Sequence, residues 1–266
     1  MGTLKINKSS SLITAKKVIE LKIDAFKNLK KSINKNFDDA VNAIVNCQSK
    51  IILCGVGKSG LIATKIAATM SSVGCPAFSL SANDCLHGDL GSITRKDVLI
   101  LISNSGKSEE IIPIIKFANR NKIKLIGIVS KKSSVLYKAS DIKILLPEVK
   151  ESGLGIVPTS STSVQLAIGD ALAIASLNKK KFSKYDFSRL HPGGNLGKQL
   201  KTVGDIMSTG TKIPFINENK NMNDATKIIT KKKLGVLIAH NKNKFTTGII
   251  TDGNVRKLRQ RNKDFQ

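Results

Sequence analysis

At 266 residues the chain has room for one substantial domain and a small appendage, and its core must be aliphatic, because apolar residues make up 41% of it while aromatics make up only 4% and Trp is absent. No apolar run approaches the roughly 18 residues that span a bilayer, and Met1 to Ser11 lack the apolar stretch of a secretory signal, so a cytoplasmic protein with no membrane partner is expected. The net charge of +25 would suggest nucleic acid if it were clustered, but Lys is spread along the whole chain among abundant Asn and Ile, as lysine-favouring codons would produce; no nucleic-acid partner is expected, although the excess charge would help draw in a small anion.

Residues 15–46 are lysine-rich with apolar side chains at helical spacing (Val18, Ile19, Leu21, Ile23, Phe26, Leu29, Ile33), which predicts one or two amphipathic helices flanking the main domain. Then an alternation sets in: the apolar run 51–54, a glycine turn, and a small-residue helix over 59–72. The same grammar recurs with runs at 77–80, 98–102, 125–129 and 142–146, with a helix expected over 108–121 and another over 161–177. Short continuous apolar runs alternating with helices indicate an α/β domain whose parallel sheet is covered on both faces. Past Lys201 the apolar elements shorten and polar turns separate them, so a boundary is expected near Leu200, dividing residues 1–200 from a small α+β unit at 201–266. Cys47, Cys54, Cys75 and Cys85 contain no CxxC pair and read as reduced structural thiols.

Three loops carry the chemistry. Gly55-Val56-Gly57-Lys58-Ser59-Gly60 follows a strand and opens a helix, where glycine lets the backbone approach an anion and the helix N-terminus favours negative charge. The string is too short for a Walker loop and lacks a clear dinucleotide acidic partner. Ser103-Asn104-Ser105-Gly106-Lys107-Ser108 repeats the arrangement with three hydroxyls, which suits a terminal phosphate monoester; Ser108 acting merely as an N-cap, with Glu110 in the first turn, is the competing reading. Open parallel sheets gather ligands at the carboxyl ends of their strands, so both loops would face one crevice. A third hydroxyl cluster, Thr159-Ser160-Ser161-Thr162, precedes the later helix, with Glu151 before it and the glycine-rich turn His191-Pro192-Gly193-Gly194 after it.

The joint spacing of GVGKSG, HGDLG (His87 to Gly91), SNSGKSEE, the Glu151 segment, PTSST, GDALA and HPGGNLG resembles the arabinose-5-phosphate isomerases of the sugar-isomerase (SIS) superfamily, over nearly the whole chain to about Ile250. The resemblance implies a three-layer, flavodoxin-like fold with a five-stranded parallel sheet. It implies interconversion of ribulose 5-phosphate and arabinose 5-phosphate, a supply step for Kdo and lipopolysaccharide, with no cofactor and no metal. The family's active-site Lys, two Glu and His fall on Lys58, Glu110, Glu151 and His191. Substrate contacts are expected from Gly57, Ser59, His87, Ser103, Ser105, Ser108, Thr159, Ser160 and Ser161. A homotetramer with sites shared between protomers is also implied.

The segment 203–252 resembles a CBS module, opened by Asp205-Ile206-Met207 and closed by Gly248-Ile249-Ile250-Thr251-Asp252-Gly253. The family commonly carries two in tandem and this chain shows one, which leaves any nucleotide at that module open. Lys107 stands where the family usually has Glu. Two other readings remain at this stage: a noncatalytic phosphosugar sensor, against which stands the lack of a helix-turn-helix segment, and an isomerase of another phosphosugar, since hydroxyl loops read a phosphate better than sugar stereochemistry.

Overall fold

The computed structural model describes residues 11–191 and 202–261, in two compact units, residues 1–200 and 201–266. In the first, strands β1 (Ile51–Gly55), β2 (Ala77–Ser81), β3 (Val98–Ile102), β4 (Lys124–Val129) and β5 (Ile142–Leu145) form one parallel five-stranded sheet in the order β2-β1-β3-β4-β5. Every strand but β2 and β5 is paired on both sides, and β1 and β3 lie almost wholly out of solvent. This is why their sequences are continuous apolar runs instead of alternating ones.

The period-two geometry of the strands sorts their side chains between two cores. Ile51, Leu53, Ile100, Ile102, Ile126 and Ile128 point to the face covered by α1 (Ser11–Ser32), α2 (Lys35–Val45), α3 (Lys58–Ser72) and α7 (Ser160–Lys179). Ile52, Cys54, Leu99, Leu101, Leu125 and Val129 point to the other, covered by α4 (Ala82–Cys85), α5 (Ile111–Arg120) and α6 (Val135–Ala139). The three layers match the expectation from sequence. At the amino edge, buried Asp97 accepts hydrogen bonds from the Thr94 and Lys50 backbone N–H groups at 2.6 and 3.2 Å and pairs with the Lys50 ammonium at 3.0 Å. Burial alone would raise its pKa, but these donors outweigh it and bring it down to about 2.

One element departs from the sequence reading. The helix expected over 108–121 begins only at Ile111, with Glu110 at the N-cap in helical geometry and no side-chain cap, so Ser108 is not a capping residue. The cause lies upstream. Gly106 adopts φ +64, and a Cβ there would sit 2.5 Å from Ser134 Oγ and 2.6 Å from Val129 Cγ2, so the loop is pinned against α6 before it can turn into helix.

The second unit holds a three-stranded sheet in the order β6 (Phe215–Asn217), β7 (Val236–His240), β8 (Thr246–Thr251), with β6–β7 parallel and β7–β8 antiparallel. Its small core unites Ile216, Ala225, Ile229 and Leu237, the middle two from helix Met222–Lys232.

Candidate active site

The strand order makes β1 and β3 neighbours whose connections leave to opposite faces, which opens a crevice at their carboxyl ends. Gly55, last in β1, is paired with Ile102, last in β3, so the turn at Gly57 and Lys58 and the loop from Ser103 to Glu110 emerge side by side. The turn is tight by necessity. A Cβ on Gly55 would meet the Ser59 backbone at 2.8 Å and the Ile102 carbonyl oxygen at 2.9 Å, and one on Gly60 would meet the Gly55 carbonyl oxygen at 2.8 Å. Gly57 takes φ +56 at the N-cap of α3, with Lys58 the first helical residue.

In the serine loop, Ser103 Oγ accepts from the Gly106 N–H at 3.0 Å, and Ser105 Oγ accepts from the Lys107 N–H at 3.4 Å. Both hydroxyls therefore act as acceptors toward their own loop and keep their protons for a ligand. The Asn104 carbonyl is held by Ser130 through its N–H at 3.1 Å and its hydroxyl at 2.6 Å, which fixes the loop from beneath. Ser105 and Lys107 are exposed and Ser108 half-buried. This is a rigid, hydroxyl-bearing loop with a cation beside it, fit to receive a phosphate monoester.

The third cluster behaves differently. The N–H groups of Thr159 and Ser160 both donate to Glu151 Oε2 at 2.8 Å, the Thr159 hydroxyl adds a third bond at 3.0 Å, and the Ser161 N–H reaches Oε1 at 3.3 Å. The N-terminus of α7 is thus already filled by an anion from its own chain. Thr159, Ser160 and Ser161 form a socket for Glu151, and their backbone donors face it rather than an open ligand site. Burial works to raise the Glu151 pKa, but the bonds from Ser161, Thr159 and Ser160 prevail and hold the carboxyl below the ordinary glutamate range. Oε2 carries the short bonds, which leaves Oε1 the less committed oxygen.

Lys58, Glu110 and Glu151 accordingly share the carboxyl edge, though among the described residues no ion pair joins Lys58 to either acid. His87, exposed beyond α4, belongs to the connection leaving the carboxyl end of β2. His191 does not join them within one chain. Helix α7 carries the chain down the sheet by about 30 Å, and at its far end Lys180 bonds the Gly74 carbonyl while Phe182 packs on Gly74, just before β2 begins. Helix α8 (Lys184–Leu190), with a Ser183 capping box, follows there. His191 ends it, stacked on Phe187 with centroids 3.9 Å apart and with Nδ1 2.8 Å from the Phe187 carbonyl oxygen. The glycine-rich turn after it, Pro192 to Gly197, lies outside the described residues.

One residue escaped the sequence reading. Gln165, in the second turn of α7 and fully buried, accepts the Ser59 hydroxyl proton through Oε1 at 3.1 Å. Its only sequence signal is a lone amide in the apolar stretch Val164 to Ile168. The cysteines, all free, lie apart from this chemistry; Cys54 and Cys85 are buried together, and the hydrogen bond between their thiols, with burial, pushes Cys54 up.

Comparison with known proteins places this geometry in a class. The SIS domain family matches residues 44–175 and the CBS domain family residues 203–261. The arabinose 5-phosphate isomerase KdsD of Yersinia pestis is 41% identical over 245 residues, covering 91% of this chain and 75% of that protein, and KdsD of Escherichia coli strain K12 is 40% identical over the same shares. Among solved structures, E. coli CFT073 c3406 in complex with arabinose 5-phosphate superposes with a TM-score of 0.67 at 34% identity, over 70% of this chain and all of that one (100%). The chain belongs to the arabinose 5-phosphate isomerase family.

Proposed function

We propose that this protein is an aldose–ketose isomerase that interconverts D-ribulose 5-phosphate and D-arabinose 5-phosphate, in the cytoplasm, as a supply step for Kdo and lipopolysaccharide. The observation that carries the reading is the pairing, at one sheet edge, of a hydroxyl-bearing loop (Ser103, Ser105, Ser108) with a carboxylate, Glu151, seated in its own socket. The similarity to KdsD over most of the chain supports the substrate.

Isomerisation moves a proton between adjacent carbons while a carbonyl and a hydroxyl exchange places through a cis-enediol, and it needs no redox partner. The serine loop grips the phosphate and extends the sugar toward Lys58 and Glu151. Glu151 Oε1 takes the proton from one carbon and returns it to the next, while Oε2 stays anchored to α7. Lys58 stabilises the oxyanion that develops on the carbonyl oxygen, which is where a preorganised cation contributes most. Glu110 tunes the site, Gly57 and His87 border the sugar, and His191 serves ring opening or proton transfer between oxygens.

We assign His191 to the site of a neighbouring subunit; the anchoring of Lys180 at Gly74 and the stacking of His191 on Phe187, at the opposite sheet edge, support this. A homotetramer with shared sites fits that assignment. The hairpin 152–157, which carries Leu154 at 86% and Ile156 at 76% exposure beside Glu151, supports burial against another copy.

The test is incubation of the purified protein with ribulose 5-phosphate in deuterium oxide without added cofactor. Deuterium at C2 of arabinose 5-phosphate is the expected product signature. Unchanged ketose, or an aldose of other configuration, overturns the assignment.

A further inference from the structure

We infer that Gln165 is a positioning residue for the isomerase site, acting through Ser59 to set Lys58 against the Glu151 socket; this rests on the isomerase reading above. Ser59 is bonded within the protein through both its N–H and its hydroxyl. Its N–H donates to the Val56 carbonyl at 3.1 Å, and its hydroxyl donates to Gln165 Oε1 at 3.1 Å. Ser59 is therefore tied into the fold as a strut between two helices, whereas Ser103 and Ser105 bond only within their own loop.

The two ends of the strut sit on elements that carry opposite halves of the chemistry. Ser59 is the second residue of α3, directly after Lys58. Gln165 is one helical turn beyond Ser161 on α7, and residues four apart share a helix face. Ser161 is among the residues that hold Glu151. Gln165 thus connects the Lys58 turn to the helix end that seats the carboxylate, across 106 positions of sequence. Below it α3 and α7 are in close contact, Gly169 leaving room for Ile66, so the strut fixes the upper end of an already packed pair.

The amide at this place joins two helices. Gln165 is wholly buried, and its Nε2 has no hydrogen-bond partner among the described residues. Among the described residues, its side-chain bond is the one to Ser59, next to Lys58. Ser59 is only half-buried, so its hydroxyl would find water if Gln165 were lost. The amide's bond to Ser59 holds together the two helix ends that carry Lys58 and the Glu151 socket, which is a positional role.

Steady-state kinetics on ribulose 5-phosphate with Gln165→Leu, Ser59→Ala and the double variant, alongside thermal unfolding, test this. Gln165→Leu is expected to melt close to the wild-type temperature while kcat falls roughly 10- to 100-fold and KM stays within about twofold, because misplacement acts on chemistry more than on phosphate capture. Ser59→Ala is expected to lose a similar factor, and the double variant no more than either single one, as for two halves of one contact. Undiminished kcat in Gln165→Leu, losses that multiply in the double variant, or a melting temperature that falls in step with activity overturns the role. The wild-type control separates the two claims: absence of turnover in the unaltered protein overturns the isomerase reading itself, whereas normal turnover in both wild type and Gln165→Leu overturns only the strut.

Discussion

Glu151 stands in the site with its carboxylate already held by the Thr159 and Ser160 N–H groups at 2.8 Å. Its position before a hydroxyl cluster marked it, but nothing in the spacing shows that the cluster's own N–H groups would bind it, because that contact depends on the hairpin 152–157 folding back. The consequence is chemical: a carboxyl held below the ordinary glutamate range stays ionised through neutral pH, so it is always ready to accept a proton although it is a weak base. Glu151→Gln is expected to lower kcat by on the order of 10²–10⁴, and near-normal turnover in that variant removes it as the carbon base. Because its folded pKa is depressed, the stability contributed by the charged form is present above the ordinary value of 4.5 and is lost as pH falls below it. The same residue makes two demands on one experiment, and comparing kcat with melting temperature in Glu151→Gln reads them separately.

Among the elements, the strands were legible because a strand buried on both faces must be an apolar run, and runs such as Val98 to Ile102 have no competing use. The start of α5 was not legible, since the positive φ of Gly106 and its contact with Ser134 join residues 28 apart and leave no trace in periodicity. Asp97 is a similar case of long-range accounting. Its carboxylate ties the starts of β1 and β3 together through Lys50 and Thr94. Asp97→Asn is expected to cost roughly 2 kcal/mol at neutral pH, measured by urea unfolding. The depressed pKa sets the sign: the wild-type advantage is full above 3.8 and shrinks as pH falls through about 2. A gap that stays constant across that window contradicts the assignment.

For the whole molecule, membership of the isomerase family was legible in the joint spacing of motifs, whereas the placement of His191 was not, because it depends on α7 carrying the chain to the far edge of the sheet. If each site combines Glu151 of one chain with His191 of another, co-expressed His191→Ala and Glu151→Gln chains regain activity that neither has alone, since one mixed site contains both intact residues. No recovery, or a fully active monomer by light scattering, rejects shared sites.

Where the ester phosphate is held decides how the sugar's carbonyl end meets Glu151. With the N-terminus of α7 filled by Glu151, a crystal structure with arabinose 5-phosphate bound is predicted to place the phosphate oxygens within hydrogen-bond distance of Ser103, Ser105 and Ser108 on the loop after β3, with Glu151 still in its socket. A phosphate found instead on the Thr159 to Ser161 backbone, with Glu151 displaced, would contradict it.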